Sequence, residues 1–258
     1  MHLTDVELLT WLQRYFWSFA RIAGVLMSAP ILGARLAPTR VRLMLALTLT
    51  LMLTPLLPAS KPVELFGAAW WLISMQQVLI GVVIGFILLL VFEAVTMGGE
   101  LISASMGLSF AQMVDPVRGT DSTVIGQILM LVVSLLFLAL NGHLALIELL
   151  AQSFQTLPVG ESLSIARLDQ VLHWSGVIFS GGLRVALPVM IALLLVNMAF
   201  GVMSRATPSL NLQSVGFPIS LAAGMLLLQF SLPGLQMVIT DLLDQVWPLL
   251  ALLLRPGP

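Results

Sequence analysis

The chain has 258 residues, of which 59% are hydrophobic and 9% charged, with 11 Lys and Arg against 12 Asp and Glu and a net charge of −1. Soluble domains carry about 45–50% apolar residues and about a quarter charged ones, so a water-solvated globule is excluded. With no Cys, disulfides, thiolate metal sites and cysteine nucleophiles are excluded as well, and so few basic residues rule out a nucleic-acid footprint.

The composition predicts an all-α, hydrophobic, membrane-associated protein. Ahead of the first apolar run stand Asp5 and Glu7 and no basic cluster, which does not fit a cleaved signal peptide. A helix that crosses the hydrocarbon layer needs about 20 mostly apolar residues. On that measure six long helices are expected near 12–33, 42–58, 66–93, 123–150, 174–203 and 211–232, with a shorter apolar helix near 236–254. Pro55, Pro58 and Pro62 break the chain after the second helix, Pro158 and Gly160 after the fourth, and Pro208 with Asn211 before the sixth. These connections are too short to separate independent soluble domains. With six spans, Arg14, Lys61, Arg167 and Arg255 fall on one side and Arg35, Arg40, Arg42, Arg118 and Arg205 on the other. The basic-residue rule therefore orients nothing.

Helices in lipid gain little by hydrophobic association and rely on close packing, with small residues four apart. Such stripes occur at Gly81 and Gly85, at Gly99, Ser103 and Gly107, at Gly176 and Ser180, at Gly216, Ser220 and Gly224, and in mixed form at Asn197, Gly201 and Arg205. One bundle would use some of them. Their number favours a subunit of a larger helical assembly.

No constellation for chemistry is present. Lys61 is the only lysine and sits in a proline-rich loop, which excludes a phosphate-binding loop with its lysine. His2, His143 and His173 lie far apart, no Gly-x-Ser-x-Gly elbow occurs, and Gly98-Gly99 lacks a dinucleotide fingerprint. Glu93 and Glu100 are seven apart and share one helix face, as a proton-carrying pair would, or as two residues lining a wet or protein-buried face would. Arg21 and Arg184 interrupt apolar helices, where charge is costly and is paired or functional. Together with Asn141, His143, Asn197 and Arg205, these four are expected to be buried polar groups. No enzyme, cofactor or metal is implied.

The segment from Glu100 to Ser122 is too polar to span and too apolar for an ordinary loop. Met106, Phe110 and Met113 alternate with small residues, and Asp115-Pro116 stops any helix. Irregular backbone at membrane depth is tolerated where protein buries it or where it lines a cavity, and flexible methionines repack readily. Gly107 and Gly119 would give such a segment freedom to move. It suits a pore closure, and equally a loop lying in the membrane interface.

Met106-Gly-Leu-Ser-Phe-Ala-Gln-Met-Val-Asp-Pro116 resembles a signature of the FliR family of type III secretion export-gate proteins. Asn141-Gly-His143, Phe154-Gln-Thr-Leu-Pro158, Ala186-Leu-Pro188, Asn197 with Gly201 and Arg205, and Gly216-Phe-Pro218 are similar to that family in the same order. The resemblance implies a subunit present once in a helical hetero-oligomeric gate, closing a ring with several copies of two smaller proteins of FliP and FliQ type. Residues 1–170 would be the part related to one of these, and residues 171–258 a hairpin and tail related to the other. It further implies a FlhB-type switch protein as partner, unfolded flagellar proteins as exported substrates, contact with membrane lipid, and a place in the bacterial inner membrane within the flagellar basal body. Residues 106–122 would plug the closed channel, with Met106, Gly107, Phe110, Met113, Asp115 and Pro116 as gate residues. The injectisome gate of virulence-type secretion is a close alternative. A secondary transporter is a more distant one, because no inverted repeat is visible.

Overall fold

The computed structural model describes residues 5–31, 38–58, 63–108, 123–161, 163, 165–206 and 212–254. Every regular element among them is helical: α1 (Asp5–Ser28), α2 (Thr39–Leu53) with a short 3-10 turn at Thr54–Leu56, α3 (Ala68–Ser105), α4 (Val124–Ala139), α5 (Gly142–Thr156), α6 (Ile165–Trp174), α7 (Val177–Ala206) and α8 (Leu212–Leu253). The all-α expectation holds. Four stretches, Thr39–Leu56, Ala68–Ser105, Leu168–Met203 and Gly216–Leu253, are long and apolar enough to cross a membrane. The bent pair α4 and α5 would make a fifth if it crosses as one. The segment expected to be the first span, now α1, is not among them, because Gln13, Arg14 and Arg21 dilute its apolar run.

Three boundaries differ from the sequence reading. α3 does not stop at Glu93 but runs to Ser105, since Val95 and Ile102 carry its buried face onward. The expected helix at 123–150 is two helices bent by 65°. Asn141, with φ 58, makes that bend, a left-handed conformation that asparagine tolerates better than most residues. α8 is one helix of 42 residues through Pro233-Gly234, where a break had been expected. Leu228, Leu235, Ile239, Leu242, Val246 and Leu250 form one buried stripe at helical spacing on both sides of Pro233. Continuing that stripe outweighs the lost hydrogen bond, which costs about 3 kcal/mol.

The chain divides into two compact units. The first comprises Met1–Leu89, Phe137–Ser175 and Gln245–Pro258, and the second Leu90–Leu136 and Gly176–Asp244. In the first, α1 and α3 run parallel. Trp17 Nε1 donates to Ser74 Oγ (3.2 Å), Arg21 Nε to Gln77 Oε1 (2.8 Å) and Ser28 Oγ to the Val82 carbonyl (3.0 Å), so the contacts advance together along both helices. Glycines set how closely they approach. A Cβ on Gly24 would stand 2.6 Å from the Val78 carbonyl oxygen, one on Gly81 would strike the Arg21 carbonyl, and one on Gly85 would strike Ser28.

Arg21 is fully buried in this unit, with no carboxylate among its partners in the described residues. Its Nη1 donates to the Ser153 carbonyl (2.8 Å) and Oγ (3.1 Å), and its Nη2 donates to the Leu157 carbonyl (2.9 Å). The guanidinium carbon stands 4.1 Å from the centre of the Phe154 ring. Ser153 and Leu157 are the last turn and cap of α5, where unpaired carbonyls and the negative end of the helix dipole attract a cation. Burial lowers the pKa of this arginine from its ordinary value to about 9, which leaves it protonated at neutral pH. Replacing Arg21 with Met should take a donor from four buried acceptors and orphan three of them, since the Ser153 carbonyl still accepts from the Leu157 N–H. Each such orphan costs about 1–3 kcal/mol, so a loss of about 3 kcal/mol or more is expected, read as a lower melting temperature and lower yield in mild detergent. Arg21→Lys should recover only part of the loss, because an ammonium lacks the planar fork that reaches three sides.

Candidate gate segment and its supports

The segment singled out in the sequence leaves α3 through a tight cap. Gly107 has φ +81. Its N–H donates to the Ala104 carbonyl and the Leu108 N–H donates to the Ser103 carbonyl, both at 3.0 Å. This paired arrangement is a Schellman cap, which needs a left-handed residue where Gly107 stands. Gly107 is therefore a helix terminator held in place, where the sequence suggested a point of freedom. Met106 is buried, and a Cβ on Gly224 of α8 would lie 2.6 Å from Met106 Cγ. In this chain Met106 fills a notch made by Gly224. Phe110, Met113, Asp115 and Pro116 lie outside the described residues.

At the other end, Thr123 caps α4: its Oγ1 accepts from the Gly126 N–H at 3.1 Å. In a capping box the third helical residue is a Glu or Gln that reaches back to the cap N–H. Here that position is Gly126, and the carboxylate comes from α3 instead, with the Thr123 N–H donating to Glu100 Oε1 at 2.8 Å. Ser103 Oγ donates to Thr123 Oγ1 at 2.8 Å. A Cβ on Gly126 would press within 3.0 Å of that Glu100 oxygen, and one on Gly99 would lie 2.6 Å from Gly126 Cα. Two members of the small-residue stripe thus serve different ends: Gly99 allows close approach, and Ser103 supplies a buried hydroxyl.

The expected buried polar groups divide. Arg21 is buried, Glu100 and His143 are half-buried, and Glu93, Asn141, Arg184, Asn197 and Arg205 are exposed. Within this chain alone, then, the last five are not covered. Asn141 makes the bend between α4 and α5, and Gly142 beside it has no room for a Cβ against the Phe137 ring. Arg184 pairs with Asp241 at 2.7 Å, a partner the sequence reading did not suggest. Ser220 Oγ donates to Asn197 Oδ1 at 2.8 Å, joining α7 and α8. Gly201 would meet nothing within 4 Å if given a Cβ, and Gly216 is half-buried. Among the described residues, no group of three or more His, Cys, Asp or Glu could hold a metal ion. A cavity of about 380 Å³ beside Arg14, Trp17, Phe154 and Glu161 has no such group either.

Sequence reasoning missed Gly24 and Ser28, the α1 partners of Gly81 and Gly85, although their four-residue spacing is the same signal. It also missed Gln77, Ser153 and Leu157 around Arg21. Two of those contacts use backbone carbonyls, which no sequence pattern marks.

Comparison with known proteins decides the family. Residues 12–246 match the model of bacterial export proteins, family 1. The chain belongs to that family. It is 39% identical over 253 residues to the flagellar biosynthetic protein FliR of Escherichia coli (strain K12), covering 97% of this chain and 96% of that protein. To the protein of the same name from Pectobacterium carotovorum subsp. carotovorum it is 38% identical, covering 95% and 94%. A more distant namesake from Bacillus subtilis (strain 168) is 27% identical and covers 81% and 82%. Family membership thus extends over both units and over the segment that joins α3 to α4.

The glycine contacts make a contrast that can be measured. Gly81→Ala places a methyl group on the α1 backbone and Gly224→Leu displaces Met106, so each should cost about 1–3 kcal/mol. Gly201→Ala should leave the melting temperature of the chain unchanged. If Gly201→Ala lowers the yield of a larger complex without altering the chain itself, the Asn197–Gly201–Arg205 face serves a partner.

Proposed function

We propose that this chain is a structural and gating subunit of the flagellar type III protein export gate, forming part of the channel through which unfolded flagellar proteins leave the cell. The observation that carries this reading is the family match across residues 12–246, together with full-length relatives named flagellar biosynthetic proteins. It is a membrane protein of the flagellar export apparatus. Those relatives favour the flagellar system over the injectisome, and a solute transporter is not favoured.

The finer parts of the reading rest on the resemblance and on physical argument. The gate is placed in the bacterial inner membrane within the flagellar basal body, with several copies each of the FliP- and FliQ-type proteins, a FlhB-type switch protein and exported flagellar substrates as partners. Residues 1–170 and 171–258 are taken as the parts related to the two smaller proteins. Exposed Leu194, Leu195, Met198 and Val202 on α7, beside exposed Asn197 and Arg205, support a partner-covered face, because lipid alone does not reward exposed polar groups. Residues 106–122 are taken as the plug, with Phe110 and Met113 as its apolar seal. The subunit acts without catalysing a reaction, since its work is to close and open a passage.

Two outcomes test this. Expressed alone, the chain should aggregate or be degraded, and co-expression with the FliP- and FliQ-type proteins should yield a discrete complex; a long-lived monodisperse monomer in mild detergent counts against the gate. Shortening residues 106–122 should leave that complex intact and make cells leak ions or small solutes, because an apolar constriction excludes water. Phe110→Asp should leak less than the shortened form. A membrane as tight as before, with normal assembly, assigns the segment to the interface instead.

A further inference from the structure

The end of α3 and the start of α4 are joined by more than packing. Ser103 and Thr123 are both buried, which leaves their hydroxyls little water to turn to, and the Ser103 hydroxyl donates to Thr123 Oγ1 (2.8 Å). Ser103 engages both ends at once: its carbonyl accepts the Leu108 N–H that terminates α3, and its hydroxyl meets the residue that caps α4. Glu100, one turn earlier on the same face, supplies the carboxylate that α4 lacks at Gly126. Gly99 against Gly126 removes the side chains that would hold the two backbones apart. Hydrogen bonds to an ionised acceptor are about twice as strong as neutral ones, and a carboxylate at a helix N-terminus gains further from the helix dipole. These contacts use side chains from one helix to finish another, which is the arrangement that fixes a junction.

We propose that Glu100 and Ser103 are positioning residues of the gate, forming with Thr123 a clasp that keeps the end of α3 and the start of α4 joined while the channel opens. The proposal rests on the gate reading above and adds to it the fixed point about which that gate works. It predicts that opening does not separate these two helix ends.

The chain has no cysteine, so the junction can be stapled cleanly. The hydroxyl oxygens of Ser103 and Thr123 already face each other at 2.8 Å, which brings thiols at these positions within reach of a bond of about 2.05 Å. In cells expressing the whole gate with Ser103→Cys and Thr123→Cys together, oxidation should leave flagellar protein export within about twofold of the reduced state. Export that stops on oxidation and returns on reduction overturns the proposal, because the junction then has to open. In cells expressing the gate without the cysteine pair, Glu100→Ala and, separately, Thr123→Val should assemble and raise ion leak by about tenfold, the first because it removes a hydrogen bond to a charged group, the second because it removes the hydroxyl that caps α4. Thr123→Ser, which keeps the cap oxygen, should restore tightness. If both variants stay tight while a gate with shortened residues 106–122 leaks, the clasp fails and the gate reading stands. If the shortened gate is also tight, the gate reading itself fails and the clasp's role in gating goes with it. Loss of assembly in both variants without rescue by Thr123→Ser makes the cluster purely structural and also overturns the proposal.

Discussion

A buried cation that leans on no carboxylate sets the terms for the first unit. Arg21 draws its stabilisation from the carbonyls that end α5, from the Gln77 amide and from the Phe154 ring. An arginine on an apolar helix would otherwise be one of the costliest residues in the chain. The same contact explains why α1 and α3 come so close. Gly24, Gly81 and Gly85 bring the helices together, and that approach brings the guanidinium to the end of α5. Close packing and charge satisfaction are thus one requirement in this unit.

The bent pair α4 and α5 shows the same logic at opposite poles. The first turn of α4 receives a carboxylate from Glu100, and the last turn of α5 receives a guanidinium from Arg21. Each charge has the sign that its helix end attracts, and each comes from a different helix. Neither end finds that charge in its own sequence. Both helices are therefore completed only by tertiary structure, as is common where apolar helices leave little room for their own polar caps.

Much of this architecture was legible in the residues. Composition and run length pointed to membrane-associated helices, and four-residue spacing marked Gly81, Gly85 and Gly99 as positions of close approach. The helix boundaries were less legible, because Pro233 and Glu93 signal an end locally while the buried stripes of α8 and α3 continue past them. Polar residues were the hardest to place. Glu93 and Glu100 share a face by spacing, yet only Glu100 meets a helix terminus, and Arg184 finds Asp241 across a separation that periodicity does not encode. Backbone carbonyls as partners, as at Ser153 and Leu157, leave no mark in sequence at all.

The separation of Arg21 from its partners has a consequence for synthesis. Gln77 lies 56 residues downstream, but Ser153 and Leu157 lie 132 and 136 residues downstream. At about 5–20 residues per second, roughly ten seconds pass between the appearance of α1 and that of the carbonyls that receive its charge. Over that interval the helix carries a guanidinium that hydrocarbon disfavours and that nothing in the nascent chain can fully accept. The carbonyls that satisfy Arg21 are therefore made only after more than half of the chain has been translated.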